Sequence, residues 1–387
     1  MTSQHSTINP ILVVTPQALA RTVARLQAEP AVAVDTESNS FYVYHEQVCL
    51  IQFTIPGQDF LVDPLALSDL SLLGPIFADP DIEKVFHAAE YDVMCLKRDF
   101  GFQFANLFDT MIAARILGWK RYGLGAILEK HFGVRQNKRL QRANWGQRPL
   151  SPAQLRYAAQ DTHYLLPLRD LMRAELRARR REAEAEEAFA ALPALEWRKP
   201  EFDPDGFWNI KGAHDLSPSG QAVLRELYIY RDKQARARNL PPFKVLSKAA
   251  MIRLSERRPT TIKGLRRVKG VSQIVIKRYG RGLLDAIRRG RNAPPPRPPA
   301  RPRRPKNATL ERYEALRRWR KHRADQRGVE ASVLISNEVL FQLAKLVPTD
   351  LDALAALDLL GPWKLQAYGA ELVAVLRRTS PRSPKVS

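Results

Sequence analysis

The sequence predicts an α/β domain with a mixed sheet in its first half and two small all-helical bundles in its second half. Short apolar runs separated by turn signals occupy the start of the chain, a repeat with helical spacing occupies its end, and the net positive charge lies in the second half. The 387 residues are 45% hydrophobic and 26% charged. This composition is globular, and the length predicts two or three domains.

The strands of the first half are predicted from continuous apolar runs. Segments 31–35, 48–55 and 60–62 lie close together with short links, which favours an antiparallel meander. A fourth strand, 84–88, leads into a helix over 90–99 that Gly101 ends. Further helices are predicted at 109–117, 123–132 and 151–176, the last beginning at Pro152. Strands followed by helices in this order predict a mixed sheet with flanking helices.

The second half contains an internal repeat with an offset of 89 residues. Segment 227–287 overlays 316–376 without a gap, and pairs such as Leu227/Leu316 and Arg231/Arg320 are identical. The apolar positions recur every three or four residues, which predicts two helical bundles. Between them, 291–306 contains seven prolines and six basic residues and predicts an extended linker.

The charge of the chain is unevenly distributed. Lys and Arg number 62 against 40 Asp and Glu, a net +22, yet residues 1–200 contain 23 of each sign. A basic surface for solubility is one explanation, but a polyanion-binding half is favoured, with nucleic acid as the leading partner. The first repeat, 218–290, has net charge +15 and the second, 307–379, only +2. The second repeat is therefore expected to pack against the chain or a partner.

A loop of the first repeat could bind phosphate. Its glycine and basic side chains can present N–H groups and positive charge to a phosphate, although an ordinary inter-helix turn is the alternative. The second repeat lacks the basic residues there and has Asp358 instead. The candidate RNA-binding residues of this loop are Lys263, Arg266, Arg267, Lys269 and Gly270.

Four carboxylates occur where a sheet edge and two helices can meet. Asp35 and Glu37 follow the first predicted strand and project from one face. Asp92 lies near the start of the helix after the fourth strand, and Asp161 lies mid-helix, four residues after Tyr157. Carboxylates brought together in this way could hold two divalent cations, and Tyr157 could orient an attacking water. Spacing alone does not show that the four acids meet.

Aromatic and basic residues flank these acids. The stretch 38–46 after Glu37 is aromatic, and its rings could stack on terminal bases or pack against the sheet edge. A basic run near 138–148 could hold backbone phosphates. The residues concerned are Phe41, Tyr42 and Tyr44 for stacking, and Lys138, Arg142 and Arg148 for phosphate.

Three ordered segments resemble a known family. Residues 34–37 (VDTE), 87–92 (HAAEYD) and 157–161 (YAAQD) are similar to the three motifs of the DEDDy 3′→5′ exonucleases, and to those of bacterial ribonuclease D in particular. Similarity extends to 108–110 (FDT) and 164–168 (YLLPL), and the two repeats look like HRDC modules. The resemblance implies an RNase H-like exonuclease domain over 1–200, HRDC-like modules over 210–290 and 307–380, and the linker 291–306 between them.

The resemblance also implies a function. Asp35, Glu37, Asp92 and Asp161 would bind divalent metal, Mg²⁺ or Mn²⁺, with two ions per site, and Tyr157 would position the water. The activity implied is hydrolysis of RNA from a free 3′ end to 5′-mononucleotides, with tRNA precursors among the expected substrates. A DNA-directed 3′→5′ exonuclease and a non-catalytic RNA-binding scaffold remain as alternatives.

Other features restrict the setting. The chain has only two cysteines, Cys49 and Cys95, too few for a disulfide scaffold or a cysteine zinc site. Both lie in apolar patterns, which predicts buried thiols. No apolar run of membrane-spanning length is free of charge. We therefore expect a cytoplasmic protein with no membrane partner and no obligate protein partner that the sequence identifies.

Overall fold

The computed structural model describes residues 8–137, 139–199, 201–300 and 305–379. It confirms the predicted fold class: an α/β domain with a mixed sheet, followed by two all-helical bundles. The N-terminal domain consists of β1 (Ile11–Val13), α1 (Pro16–Gln27), β2 (Ala31–Ser38), β3 (Val48–Ile55), β4 (Gln58–Val62), α2 (Gly74–Ala78), β5 (Glu83–Phe86), α3 (Glu90–Phe100), β6 (Leu107–Asp109), α4 (Thr110–Ile116), α5 (Leu124–Phe132), α6 (Pro152–His163), α7 (Leu165–Ala178) and α8 (Glu182–Ala190).

The sheet has the order β1-β4-β3-β2-β5-β6. Strands β2, β3 and β4 form the predicted antiparallel meander, and β1, β5 and β6 add parallel pairs at either side. Helices α1, α2 and α3 bury one apolar face of the sheet, with Phe53 and Phe77 in that core. Helices α4, α7 and α8 cover β5 and β6 on the other side, and α6 packs on β2, β3 and β4.

The long helix predicted over 151–176 is wrong, because the structure has two helices there. Ser151 caps α6 and Gln154 completes a capping box. The helix ends at His163, and Tyr164 adopts φ −102° and ψ 0° before α7 starts. Pro167 explains the break, because proline has no N–H to donate to the carbonyl of residue 163 and its ring crowds that carbonyl. Asp161 therefore lies in the last turn of α6 rather than mid-helix.

The second half forms two bundles with the same element order. Bundle 1 contains α9 (Pro218–Ala237), α10 (Pro242–Val245), α11 (Lys248–Arg257), α12 (Ile262–Arg266) and α13 (Gln273–Asn292), and bundle 2 contains α14 (Asn307–Arg327), α15 (Ala331–Leu334), α16 (Asn337–Leu346), α17 (Leu351–Ala355) and α18 (Pro362–Thr379). Each has its own apolar core, with Leu227 and Leu316 completely buried at equivalent positions. The predicted linker 291–306 lies partly outside the described residues.

Bundle 2 packs firmly against the N-terminal domain through α8. The Arg327 guanidinium donates from both terminal nitrogens to the Glu184 carboxylate, whose side chain is only 1% exposed. The Glu187 carboxylate accepts the backbone N–H of Trp363 at 2.6 Å, at the first turn of α18. A carboxylate at a helix N-terminus satisfies otherwise unpaired donors and complements the helix dipole.

Bundle 1 contacts the N-terminal domain through the aromatic loop after β2. The Tyr44 hydroxyl donates to Asp232 at 2.6 Å, and the backbone N–H groups of Tyr44 and His45 donate to Asn239 Oδ1 at 3.0 and 3.1 Å. The loop that follows the first two carboxylates is thus held directly by the more basic bundle. None of the helices in the described ranges is long and apolar enough to cross a lipid bilayer.

Candidate active site

Four carboxylates from three elements surround the end of β2. Asp35 and Glu37 alternate with Thr36 along the strand, so they share the sheet face on which α6 packs. Asp92 lies in the first turn of α3 and Asp161 in the last turn of α6; both are at least 92% buried. Helix α3 follows β5, which pairs in parallel with β2, and this brings Asp92 to the same end of the sheet.

The electrostatics of the four acids show that they lie together. Burial raises the pKa of Asp35 well above its usual value, and the neighbouring charges of Asp92 and Asp161 raise it further. Burial followed by the charges of Asp35, Asp161 and Asp92 does the same for the pKa of Glu37. Desolvation also raises the pKa of Asp92 and of Asp161. In the absence of a cation, each acid therefore makes ionisation of the others less favourable.

Hydrogen bonds orient two of the acids. Thr36 points to the face opposite Asp35 and donates its hydroxyl to Asp92 Oδ1. The Gln136 amide donates to Asp161 Oδ1 at 2.5 Å, and the Tyr157 hydroxyl, one helical turn before Asp161, bonds to the same carboxylate. Gln136 was not predicted, because nothing in the sequence pairs a residue before α6 with that helix's last turn. Gly125 leaves room for it, since a Cβ there would lie 2.9 Å from Gln136 Oε1.

The chemistry of these side chains fits a hard divalent cation. Oxygen ligands from carboxylates are what Mg²⁺ and Mn²⁺ prefer, and a cation would relieve the repulsion among the four acids. The described residues contain no group of three or more His, Cys, Asp or Glu side chains that is already arranged to hold a metal ion. The oxygens of Asp92 and Asp161 that accept from Thr36 and Gln136 are engaged instead with those protein donors.

The turn that carries Asp92 is braced by the Asp109 carboxylate. Asp109 accepts the backbone N–H of Ala88 and Ala89 at 3.2 and 2.7 Å, and it also caps α4. Ala88 has φ +66°, so this turn is strained and the two hydrogen bonds help to hold it. His87 Nδ1 lies 2.9 Å from the Thr110 hydroxyl, and burial lowers the pKa of His87 to about 4. His87 is therefore neutral at pH 7 and supports the turn.

The predicted phosphate-binding arginines have different roles. Arg148 directs all five N–H donors to protein acceptors, among them both oxygens of Asp63 at 2.6 and 2.8 Å and the carbonyl of Cys49 at 2.6 Å. This differs from the expected phosphate contact, because no donor remains for a ligand. Arg142 is exposed and lies beside Phe41. Lys138 lies outside the described residues.

The three aromatic residues also separate. Phe41 is 47% exposed, and Tyr42 is partly buried with its hydroxyl bonded to the Arg142 carbonyl at 2.9 Å. Tyr44 neither faces solvent fully nor packs against the sheet edge, since it docks bundle 1 through Asp232. Tyr44 therefore has neither of the two roles expected from the sequence, base stacking or packing against the sheet edge. Phe41 stays free to stack.

The predicted loop of bundle 1 presents its cations to solvent. The side chains of Lys263, Arg266, Arg267 and Lys269 are exposed, and Gly270 has φ +91°, a conformation that favours glycine. Two further arginines brace the loop from behind: Arg257 donates to the Arg267 carbonyl at 2.7 Å and Arg253 to the Lys269 carbonyl at 3.1 Å. The result is an ordered basic surface.

Comparison with family models identifies the domains. Residues 10–177 match the model of a 3′-5′ exonuclease, and residues 220–287 and 309–376 each match the HRDC domain. The two HRDC matches are offset by 89 residues, which confirms that the repeat found in the sequence is a pair of related helical modules.

Comparison with individual proteins extends this over the whole chain. Ribonuclease D of Acidiphilium cryptum is 31% identical over 94% of this chain and 91% of its own length. The crystal structure of Escherichia coli RNase D superposes with a TM-score of 0.65 at 26% identity, covering 96% of this chain and 99% of that one. The catalytic core of RRP6 from Trypanosoma brucei gives a TM-score of 0.67 at 32% identity, with 73% and 80% covered. The chain spans between 27% and 44% of the length of three exosome component 10 and RRP6-like relatives that it also matches.

Proposed function

This chain belongs to the ribonuclease D family, and on that basis we propose that it is a metal-dependent 3′→5′ exoribonuclease that hydrolyses RNA to 5′-mononucleotides. The observation that supports this function most strongly is a group of four carboxylates, Asp92 and Asp161 buried and Asp35 and Glu37 half-buried, whose pKa values are all raised and which have no basic side chain among the causes of those shifts. Carboxylates removed from water are ordinarily paired with basic side chains, so a group of four without such a partner indicates a site for cations.

Asp35, Glu37, Asp92 and Asp161 would hold Mg²⁺ or Mn²⁺, two ions in our proposal. Bound ions would supply Lewis-acid stabilisation of the phosphodiester and a more acidic water. The residues around them keep the acids in place: Thr36 orients Asp92, and Gln136 and Tyr157 orient Asp161. Asp109 fixes the turn from which Asp92 projects. These contacts preorganise the site before substrate arrives.

Tyr157 would orient the attacking water. Its ring is buried against Trp145, with 6.0 Å between the ring centroids, and its hydroxyl proton is held by Asp161. Burial and the nearby charge of Asp161 raise the pKa of Tyr157, so the phenol stays protonated near neutral pH. Its oxygen lone pairs remain available to accept a hydrogen bond from a water.

The substrate we propose is RNA with a free 3′ end, including structured precursors such as tRNA. The related E. coli enzyme is described as an exoribonuclease involved in structured RNA processing. The exposed cations of bundle 1 supply phosphate contacts that carry no sequence information, which suits a set of substrates alike in shape. We propose a cytoplasmic location. The thiols of Cys49 and Cys95 are free and buried, which is consistent with a reducing compartment.

Replacement of Asp35 by asparagine tests the proposed chemistry. The rate at which 5′-labelled RNA is shortened from its 3′ end in Mg²⁺ or Mn²⁺ should fall by at least about 100-fold, because a ligand charge is lost from the site. Asp215→Asn is the matched control, since Asp215 is exposed and belongs to none of the elements that carry the four acids. Undiminished activity of Asp35→Asn would refute the assignment.

A stability measurement separates loss of the site from unfolding. The folded-state pKa of Asp35 is raised, so the folded protein holds its proton more tightly than the unfolded chain. The resulting stability is present at low pH and is lost as pH rises from about 4 through the folded-state pKa. In EDTA at pH 8, Asp35→Asn should therefore have a higher Tm than wild type, and the difference should shrink toward pH 5. A lower Tm in EDTA at pH 8 would show that Asp35 has another role.

A further inference from the structure

Aromatic rings and cations alternate across the seam between the N-terminal domain and bundle 1. We define the seam patch as Phe41, Tyr42 and Arg142 from the domain and Phe243 and Lys244 from bundle 1. Phe41 is 47% exposed and Phe243 55%, which are high values for phenylalanine. Arg142 and Lys244 are exposed as well. Two structural units thus contribute apolar rings and positive charge to one accessible surface.

Contacts within the seam patch fix its members relative to one another. The Lys244 ammonium lies 4.1 Å from the centroid of the Tyr42 ring, across the seam. The Tyr42 hydroxyl donates to the Arg142 carbonyl at 2.9 Å, and the Arg142 guanidinium lies 5.8 Å from the Phe41 ring. Each cation therefore stacks on a ring and none is paired with a carboxylate in these contacts. Cation–π stacking orders the side chains and leaves their charge unneutralised.

The seam is held closed by other residues. Tyr44 bonds Asp232, Asn239 accepts two backbone N–H groups of the loop, and Arg236 stacks on the Tyr44 ring at 5.6 Å. These contacts account for the docking of bundle 1. The exposure of Phe41 and Phe243 is not needed for that docking, so their rings are available to a ligand.

The seam patch lies close to the carboxylates. Phe41 follows Glu37 by four residues, so their Cα atoms are at most about 14 Å apart. The loop between them and β3 is compact, because Asn39 exchanges hydrogen bonds with Gln47 at 3.3 and 2.9 Å. A nucleotide chain whose 3′ end lies among the carboxylates could reach the patch within a few nucleotides.

We propose that the seam patch binds the single-stranded RNA segment just 5′ of the nucleotide being removed. Bases stack on Phe41 and Phe243, and phosphates contact Arg142 and Lys244. Exposed rings beside unpaired cations are the pattern that single-stranded nucleic acid recognises, whereas a peptide of comparable affinity would need an apolar groove. This inference rests on the proposed function and adds that bundle 1 forms part of the substrate site.

The proposal predicts dependence on the length of the 3′ tail. RNAs with a duplex and single-stranded 3′ tails of two, four and eight nucleotides would be compared for wild type, Phe41→Ala and Lys244→Ala. For the longer tails, each variant should raise KM roughly 5- to 50-fold with kcat within about twofold, since stacking and phosphate contacts are lost. The two-nucleotide tail should show little change.

Two controls distinguish binding from charge and from structure. Lys345→Ala removes one exposed cation from bundle 2 and should leave every KM unchanged within about twofold. Tyr44→Phe removes one docking hydrogen bond and keeps the two that Asn239 accepts, so the seam patch stays in place and KM should change by less than about twofold. If Phe41→Ala and Lys244→Ala raised KM equally for all tails, the patch would not bind the tail and the proposal would fail.

Direct binding separates this inference from the proposed function. In EDTA, the Kd of the eight-nucleotide-tailed RNA, measured by fluorescence anisotropy, should rise roughly 5- to 50-fold in Phe41→Ala and Lys244→Ala. Such a rise in Kd would support the seam patch even if the wild type released no nucleotides. Absence of nucleotide release would refute only the nuclease function. Unchanged Kd values in both variants with active wild type would overturn the seam patch and leave the nuclease function in place.

Discussion

Bundle 1 and bundle 2 have the same fold but contact the rest of the molecule in different ways. Their buried positions correspond at an offset of 89, as in Tyr279/Tyr368 and Leu283/Leu372. Their surfaces differ: bundle 1 has net charge +15 over 218–290, and bundle 2 has +2 over 307–379. The apolar core sets the fold of an HRDC module, and the exposed positions are free to change its task.

The equivalent arginines Arg238 and Arg327 show this division most clearly. Each lies at the end of its bundle's first helix, beside the equivalent tyrosine. The Arg238 guanidinium is exposed and stacks at 5.3 Å on Tyr279. Arg327 instead bonds both Tyr368 and the buried Glu184 of the N-terminal domain. The same corner of the module thus serves as an open basic surface in one copy and as a docking contact in the other.

The largest expected effect comes from removing the docking arginine. Arg327→Ala leaves the Glu184 carboxylate buried without its partner, which should lower the free energy of unfolding by about 3–5 kcal/mol. Arg238→Ala, the equivalent change in bundle 1, should lower it by less than about 1 kcal/mol, since only an exposed stack is lost. Denaturant unfolding followed by circular dichroism measures both.

The double variant Glu184→Ala/Arg327→Ala tests the cause. It should recover a substantial part of the loss, because no unpaired charge then remains buried. Equal destabilisation by Arg238→Ala and Arg327→Ala would contradict the assignment of separate tasks to the two bundles.

The second effect concerns RNA binding by the loop of bundle 1. A variant that gives four positions of this loop the residues of bundle 2 would lose four positive charges and gain two negative ones. Its affinity for single-stranded RNA should fall, and the slope of log K against log[salt] should flatten by about 3. The substitutions are Lys263→Asp, Arg266→Ala, Arg267→Ala and Lys269→Asp.

The reverse exchange gives the matched control. Bundle 2 with Asp352→Lys, Ala355→Arg, Ala356→Arg and Asp358→Lys has the same charges on a module that docks to α8. We expect a smaller change in slope, because its loop differs also in the backbone: Asp358 has φ +50°, whereas Gly270 is the left-handed residue in bundle 1. An equal gain would mean that charge alone, independent of the module, determines affinity.

The parts of the fold that the sequence predicted were those with local causes. The apolar run of β3 gave its bounds, Val48–Ile55, and Gly101 with φ +70° ends α3. Strands β1 and β6 were not predicted, because three residues are too few to show a period. The break after α6 also has a local cause, Pro167, which is visible in the sequence.

The candidate site divides in the same way. The spacing of Asp35 and Glu37 on a strand, and of Tyr157 and Asp161 on a helix, predicts that each pair shares one face, because strand and helix periods are fixed locally. Contacts between segments that are distant in the sequence leave no comparable pattern in it. Arg148 bonds Asp63, 85 positions away, and Tyr44 bonds Asp232 in another domain. A basic or aromatic run in a sequence indicates composition, and only the fold shows which side chains are already engaged.

The smallest effect we predict concerns the buried arginines Arg231 and Arg320, which are both 7% exposed. Arg320 donates to the Ile335 carbonyl at 2.5 Å and to Asn337 Oδ1 at 2.6 Å, whereas the position equivalent to Asn337 in bundle 1 is Lys248, which cannot accept. Arg231 stacks on Tyr228 at 5.0 Å.

Burial lowers the pKa of both arginines, so each guanidinium carries a desolvation cost that hydrogen bonds offset more fully in bundle 2. Arg320→Met should lower the free energy of unfolding by about 1–3 kcal/mol, because the Ile335 carbonyl loses its donor. Arg231→Met should change it by less than about 1 kcal/mol, since a partly compensated charge is replaced by an apolar chain of similar length. Paired thermal and urea unfolding curves give both values. A larger loss for Arg231→Met would show that bundle 1 relies on its buried cation more than its contacts indicate, and that the two cores are less alike than their repeat.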